Sequence, residues 1–197
     1  MSTVTRNSRQ HPRAVPQVPG EVGIWVFIFG DMTIFAVLFA TFFYYRAKKP
    51  EIFDQSQVAL NQNYGAANTV VLLVSSLLVV LAVRAVRKRK PLAPHLIAGA
   101  IFCGILFSAL KVLEYAEKVS HGITPATNDF FMFYFVLTGL HWFHLIVGLV
   151  VLVTLYVFAR KPEITEHRFA FFEGGACFWH MVDLLWIVLF PMLYLVR

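Results

Sequence analysis

The sequence predicts an all-α fold: a polytopic membrane bundle of five transmembrane helices, with the N-terminus cytoplasmic and the C-terminus outside. Three observations predict it. The chain is 58% hydrophobic and only 14% charged, with a mean hydropathy of +0.67, whereas a soluble domain carries about a quarter charged residues. Five apolar stretches, near 22–45, 68–86, 95–117, 129–158 and 172–195, are each long enough as helices to cross about 30 Å of hydrocarbon. None shows the strict alternation of a membrane β-strand. The third observation is charge. Arg6, Arg9 and Arg13 precede the first stretch, Arg84, Arg87, Lys88, Arg89 and Lys90 follow the second, and Arg160, Lys161 and Arg168 lie between the fourth and fifth. Five alternating spans put these three groups on one side, which the positive-inside rule makes the cytoplasm. The opposite side holds Arg46, Lys48, Lys49, Lys118 and Arg197. The net charge of +6 therefore reads as topology and contact with anionic lipid, and nucleic acid is not an expected partner.

Residues 1–20 are polar and contain Pro12, Pro16 and Pro19. They form no apolar core of a signal peptide. They read as a flexible cytoplasmic tail, and residues 21–197 as the membrane domain.

In the first span Asp31 lies about nine residues from the start, roughly 14 Å deep at 1.5 Å per residue. It is either a carboxyl that exchanges protons or contacts lipid, or a neutral Asp that fixes helix packing. Gly23 and Gly30, at i and i+7, would permit a close helix contact. The second span has Ser75 and Ser76 as its only central polar residues, and Tyr64, Gly65 and Asn68 suit a turn and helix start before it. The third carries Lys111 and Glu114 at i, i+3, which read as a local ion pair or a snorkelling lysine, with a functional Glu114 as the alternative. The segment Ser120–Pro125 is a turn by its glycine and proline, and Asn128 or Asp129 caps the fourth span.

The fourth span places His141 and His144 on one face, with Gly148 a heptad beyond His141. Two histidines so spaced can bind haem or a metal, and His180, Asp183 and Asp31 are the further ligands on offer. Hydrogen-bonded core histidines are the competing reading. The fifth span carries Glu173, His180 and Asp183 at i, i+7 and i+10. Ionisable groups at membrane depth cost several kcal/mol when they face lipid, so these must point into a bundle or a wet cavity. Matching depths suggest that Asp31, His141, His144, His180 and Asp183 meet in one buried polar cluster. Cys103 and Cys177 both fall inside spans and read as buried free thiols. No nucleophile–base pair or Gly-rich phosphate loop is present, so no catalytic residue is expected.

Four stretches together resemble subunit III of the haem–copper oxidases (cytochrome c oxidase type). They are Trp25 to Phe39 with an acidic residue at Asp31, the pair Glu114-Tyr115, Gly122 to His144 with the run Thr138-Gly-Leu-His-Trp-Phe-His144, and Glu173 to Trp186 with Trp179-His180-x-x-Asp183-x-x-Trp186. The resemblance covers about residues 20 to 196. It implies a five-helix bacterial form, lacking the two extra N-terminal helices of seven-helix members, in the bacterial inner (plasma) membrane. It implies a non-redox accessory subunit that binds no haem, copper or other metal itself, so His141 and His144 become metal-free. It further implies packing beside the catalytic subunit I, which holds the haem and copper, contact with phospholipid, and support of oxygen reduction, electron transport and proton uptake. No activity is expected of the chain alone. Asp31, His141, His144, Glu173, His180 and Asp183 become the candidate buried polar, proton or lipid-contact residues, with Lys111, Glu114, Trp179 and Trp186 secondary.

The core carboxyl is Asp31, where oxidase members usually carry Glu. Its Gly-Asp-Met context and the short chain also resemble the subunit III-like proteins associated with nitric oxide reductase. An accessory role in denitrification, beside a partner with haem and non-haem iron, is the alternative. An independent transporter is a third reading, opposed by the absence of an inverted repeat.

Overall fold

A computed structural model describes residues 22–161 and 166–196. The tail of residues 1–20, with Arg6, Arg9 and Arg13, and the terminal Arg197 lie outside the described residues. The described chain is helical throughout: α1 (Val22–Lys48), α2 (Pro50–Val58), α3 (Gln62–Arg87), α4 (Ala93–Ser120), α5 (Asp129–Ala159) and α6 (Glu166–Phe190), which runs on into a π-turn at Pro191–Leu195. Five of these helices are long and apolar enough to cross a membrane, as the sequence predicts.

The spanning helices alternate in direction. One end of the bundle gathers the α1–α3 connection, the α4–α5 turn and the C-terminal π-turn. Lys49 Nζ lies 2.5 Å from Asp129 Oδ2 there, and Gln57 Nε2 donates to Met192 O (3.3 Å) and Leu193 O (3.0 Å). The Asp129 carboxylate holds the exposed Lys49 ammonium above its usual pKa. At the other end lie Arg84, Arg87–Lys90, Arg160, Lys161 and Arg168.

Local sequence sets the helix ends. Asn61 accepts from Asn63 N (3.0 Å) and so starts α3 six residues before the predicted 68; Tyr64, Gly65 and Asn68 lie inside the helix. Asn128, rather than Asp129, caps α5 by accepting from Phe131 N at 2.9 Å. Gly122 closes α4 at φ +74°, a conformation that favours glycine, with Ile123 N bonded to Lys118 O at 3.0 Å. The short helix α2 starts on Pro50 at its first turn and buries Phe53 against Phe42 and Phe130 (5.3 and 5.6 Å). At nine residues it is too short for periodicity to announce it.

The core is built around α6. Within the most apolar window of each spanning helix, 61% of the α6 residues are buried, against 22–33% elsewhere. Trp179 packs on two glycines of its neighbours. A Cβ on Gly148 would lie 2.8 Å from Trp179 Cε3, and one on Gly104 would lie 2.9 Å from Trp179 Cη2. These glycines carry the close helix approach that small residues permit in membranes. The expectation for Gly23 and Gly30 fails, because a Cβ at either would meet nothing within 4 Å. In α1 the buried residues are Ile28, Asp31, Phe35 and Phe42, on a different face from both glycines. Both cysteines are free, as expected, but they are partly exposed rather than buried.

Candidate functional site

The buried polar residues occupy separate places rather than one hydrogen-bonded cluster. The first joins α1 to α5. Asp31 Oδ1 lies 2.9 Å from His144 Nε2, with side-chain exposures of 7% and 9%. His144 Nδ1 lies 2.8 Å from the Leu140 carbonyl oxygen. A carbonyl only accepts, so Nδ1 carries a hydrogen. Nε2 then either accepts from a protonated Asp31 or donates, as imidazolium, to the carboxylate. In both cases one exchangeable proton sits between the two residues and the pair is neutral overall. Such neutrality suits a group at membrane depth. Phe35 covers the imidazole edge-on at 5.6 Å. Asp31 Oδ2 is buried and has no partner among the described residues.

His141 is one turn away in sequence but points elsewhere. Its ring lies between Phe107 (5.7 Å) and Trp186 (5.3 Å), fully buried, and neither nitrogen has a partner among the described residues. It does not join Asp31 and His144. The i, i+3 spacing rotates the two side chains by about 60°, enough to send one toward α1 and the other toward α4 and α6.

The α6 stripe also divides. Glu173 sits near the basic end of the bundle, paired with Arg87 Nη2 at 2.7 Å. It is therefore a rim residue and not part of a central layer. His180 Nδ1 lies 2.7 Å from Ser76 Oγ of α3. Asp183, one turn further along, is 5% exposed, and its Oδ1 has no partner among the described residues.

A further set lies toward the opposite end. Lys111 Nζ reaches Glu114 Oε2 at 2.9 Å and the Tyr194 hydroxyl at 3.0 Å. The hydroxyls of Tyr134 (2.9 Å) and Tyr194 (2.5 Å) donate to Glu114 Oε1. Lys111 Nζ also lies 4.9 Å from the Trp186 ring centroid. The ion pair expected from the sequence is present. The snorkelling alternative is not, because Lys111 is 1% exposed. Trp186 Nε1 donates to Thr69 Oγ1 at 3.1 Å, while Trp179 Nε1 is buried without a partner among the described residues.

Sequence reasoning missed Ser76 as the partner of His180, and Tyr134 and Tyr194 as partners of Glu114. The available signal was a hydroxyl in an otherwise apolar span, which needs a partner when buried. Among the described residues, no three His, Cys, Asp or Glu side chains converge as a metal-ligand set.

The sequence profile for cytochrome c oxidase subunit III matches residues 4–196. The chain belongs to the cytochrome c oxidase subunit III family. Full-length likeness agrees with that membership. Cytochrome bo(3) ubiquinol oxidase subunit 3 of Buchnera aphidicola subsp. Acyrthosiphon pisum is 27% identical, over 96% of this chain and 92% of the relative. The probable quinol oxidase subunits 3 of Staphylococcus haemolyticus and Staphylococcus aureus are each 24% identical, over 98% of this chain and 95% of theirs. The subunit III family reading from the sequence thus stands. Between its two branches these relatives favour a haem–copper oxidase over a nitric oxide reductase.

Proposed function

We propose that this subunit III-family chain is the non-redox accessory subunit of a bacterial respiratory haem–copper oxidase, held in the inner membrane with its N-terminus cytoplasmic. Its partner is the catalytic subunit, which carries the haem and copper of oxygen reduction. The relatives are named for ubiquinol and quinol oxidases, so a quinol is the proposed electron donor of the complex. The observation that carries the reading is the family match over residues 4–196. The geometry is compatible with it. The Asp31–His144 pair stores one proton at membrane depth and could serve proton uptake by the partner. The basic end, with Arg84, Arg87 and Arg160, suits anionic phospholipid headgroups.

Purification of the tagged chain in mild detergent tests the reading, with an optical spectrum and metal analysis of what accompanies it. Haem a, o or b together with copper is the expected result. Haems b and c with non-haem iron would transfer the chain to a nitric oxide reductase. A colourless chain with no partner would count against both.

A further inference from the structure

Ser76 of α3 bridges two ionisable side chains of α6. Its Oγ lies 2.7 Å from His180 Nδ1, and the same hydroxyl is hydrogen-bonded to the Asp183 carboxyl. The bridge is near the middle of the membrane. His180 lies twelve residues after Arg168 and fifteen before Leu195, so about 18 and 22 Å from the ends of its span. Ser76 lies fourteen residues after Gln62 and eleven before Arg87. Asp183 is buried, whereas Ser76 and His180 are partly exposed.

Donor counting restricts what these three groups can hold. A serine hydroxyl has one hydrogen, so Ser76 donates to one neighbour and accepts from the other. Two orders satisfy this. In the first, a protonated Asp183 donates to Ser76, and Ser76 donates to Nδ1 of a neutral His180 whose hydrogen is on Nε2. In the second, Ser76 donates to an Asp183 carboxylate and accepts from a hydrogen on His180 Nδ1. Asp183 Oδ1 discriminates between them, because it is buried without a partner among the described residues. As the carbonyl oxygen of a neutral acid it is an orphan acceptor of modest cost; as half of a carboxylate it would be buried charge short of hydrogen bonds. Nor is a counter-charge free nearby among the described residues. Between Tyr64 and Arg84, α3 has no titratable group; Asp31 is bonded to His144, Lys111 to Glu114 and Glu173 to Arg87. Neutrality at membrane depth therefore selects the first order.

We propose that Asp183, Ser76 and His180 form a second proton-holding site at mid-membrane, separate from the Asp31–His144 pair, in which Asp183 carries the proton and the Ser76 hydroxyl passes it to His180. The two histidines then hold opposite tautomers, with hydrogen on Nε2 in His180 and on Nδ1 in His144. Transfer is a concerted shift of two hydrogens. The Asp183 proton moves to Ser76 Oγ as the Ser76 hydrogen moves to His180 Nδ1. The products are a carboxylate, an unchanged hydroxyl and an imidazolium, so total charge is conserved, and the reverse shift restores the neutral state. His180 is the partly exposed end of the chain and Asp183 the buried one, so exchange with the surroundings runs through His180. The site belongs to this chain alone and goes beyond its assignment to an oxidase.

Two spectroscopic measurements on the full chain in lipid bilayers at neutral pH test it. Nitrogen NMR of histidine-labelled protein reads the tautomers, with His180→Gln and His144→Gln assigning the signals. The expected result is a bare, hydrogen-bonded Nδ1 in His180 and a protonated Nδ1 in His144. Infrared spectroscopy reads the carboxyl, and a protonated-acid band that disappears in Asp183→Asn is expected. Ser76→Ala should move both the His180 signal and the Asp183 band, and Ser76→Thr, which keeps a hydroxyl, should restore both. In deuterated buffer the isotope shift of the Asp183 band should slow by roughly tenfold in Ser76→Ala, the scale of one lost hydrogen bond in the path. A hydrogen on His180 Nδ1, or an ionised Asp183, overturns the proposal. So does an Asp183 band that Ser76→Ala leaves in place, or one that exchanges as fast without the hydroxyl as with it. The tautomer and the acid band are read in the chain with Ser76 intact, so they decide the matter even where Ser76→Ala does not fold.

Discussion

Lys111 and Glu114 form a 2.9 Å ion pair that is 1% and 0% exposed, and the pair ties α4 to α5 and to the C-terminal π-turn through Tyr134 and Tyr194. Breaking one partner of such a pair leaves an uncompensated charge, at a typical cost of about 3–5 kcal/mol. Lys111→Met is expected to lower stability by that order. The double variant Lys111→Met/Glu114→Leu should recover a substantial part, since it removes both charges. Unfolding of the purified protein in detergent, read as a double-mutant cycle, checks this. Simple additivity of the two single changes would show that the pair is not coupled.

The two classes of glycine should respond oppositely. Gly148→Ala places a methyl 2.8 Å from the Trp179 ring and is expected to cost about 1–3 kcal/mol by overpacking. Trp179→Phe in the same chain should relieve part of that. Gly30→Ala meets open space and is expected to be neutral or stabilising by up to about 1 kcal/mol through helix propensity. Thermal midpoints of the three variants decide it; equal losses at Gly30 and Gly148 would contradict the packing described.

Asp31→Asn separates the structural and protonic roles of the Asp31–His144 pair. The amide can donate to His144 Nε2 while Nδ1 keeps its bond to Leu140 O. The variant loses the exchangeable proton but not the contact. Assembly is therefore expected to be unchanged, with co-purifying haem at the level of the unaltered chain, while oxidase turnover alters. Normal turnover in the assembled variant would remove proton exchange from the account of Asp31.

His141 has two buried nitrogens without partners among the described residues. Each orphaned polar group costs about 1–3 kcal/mol. His141→Phe keeps an aromatic ring between Phe107 and Trp186 and removes both nitrogens. Stability should hold or rise. A loss of more than about 2 kcal/mol in chemical unfolding would mean that the imidazole finds a hydrogen-bond partner in the assembled protein.

The membrane class, the five spans and the alternation of basic segments were legible without coordinates. Each depends on one-dimensional quantities: the length of an apolar run, the fraction of charge and which loop carries arginine. The Lys111–Glu114 pair was legible for the same reason, since i, i+3 neighbours on a helix meet wherever that helix packs. The family resemblance was carried by short local runs such as Trp179-His180-x-x-Asp183-x-x-Trp186, and the match over residues 4–196 agrees with it.

Tertiary structure decided the partners. Asp31 meets His144 rather than His141, His180 meets Ser76 across 104 residues, and Glu173 leaves the stripe to pair with Arg87. Periodicity sets the angle at which a side chain leaves its own helix. It does not set which neighbour lies at that angle, which depends on where the helices cross. Those crossings follow from shape, with Gly104 and Gly148 admitting Trp179 where Gly23 and Gly30 admit nothing. The sequence by itself thus determined which groups lie at membrane depth, and only the packing of α6 among its neighbours decided which of them are paired.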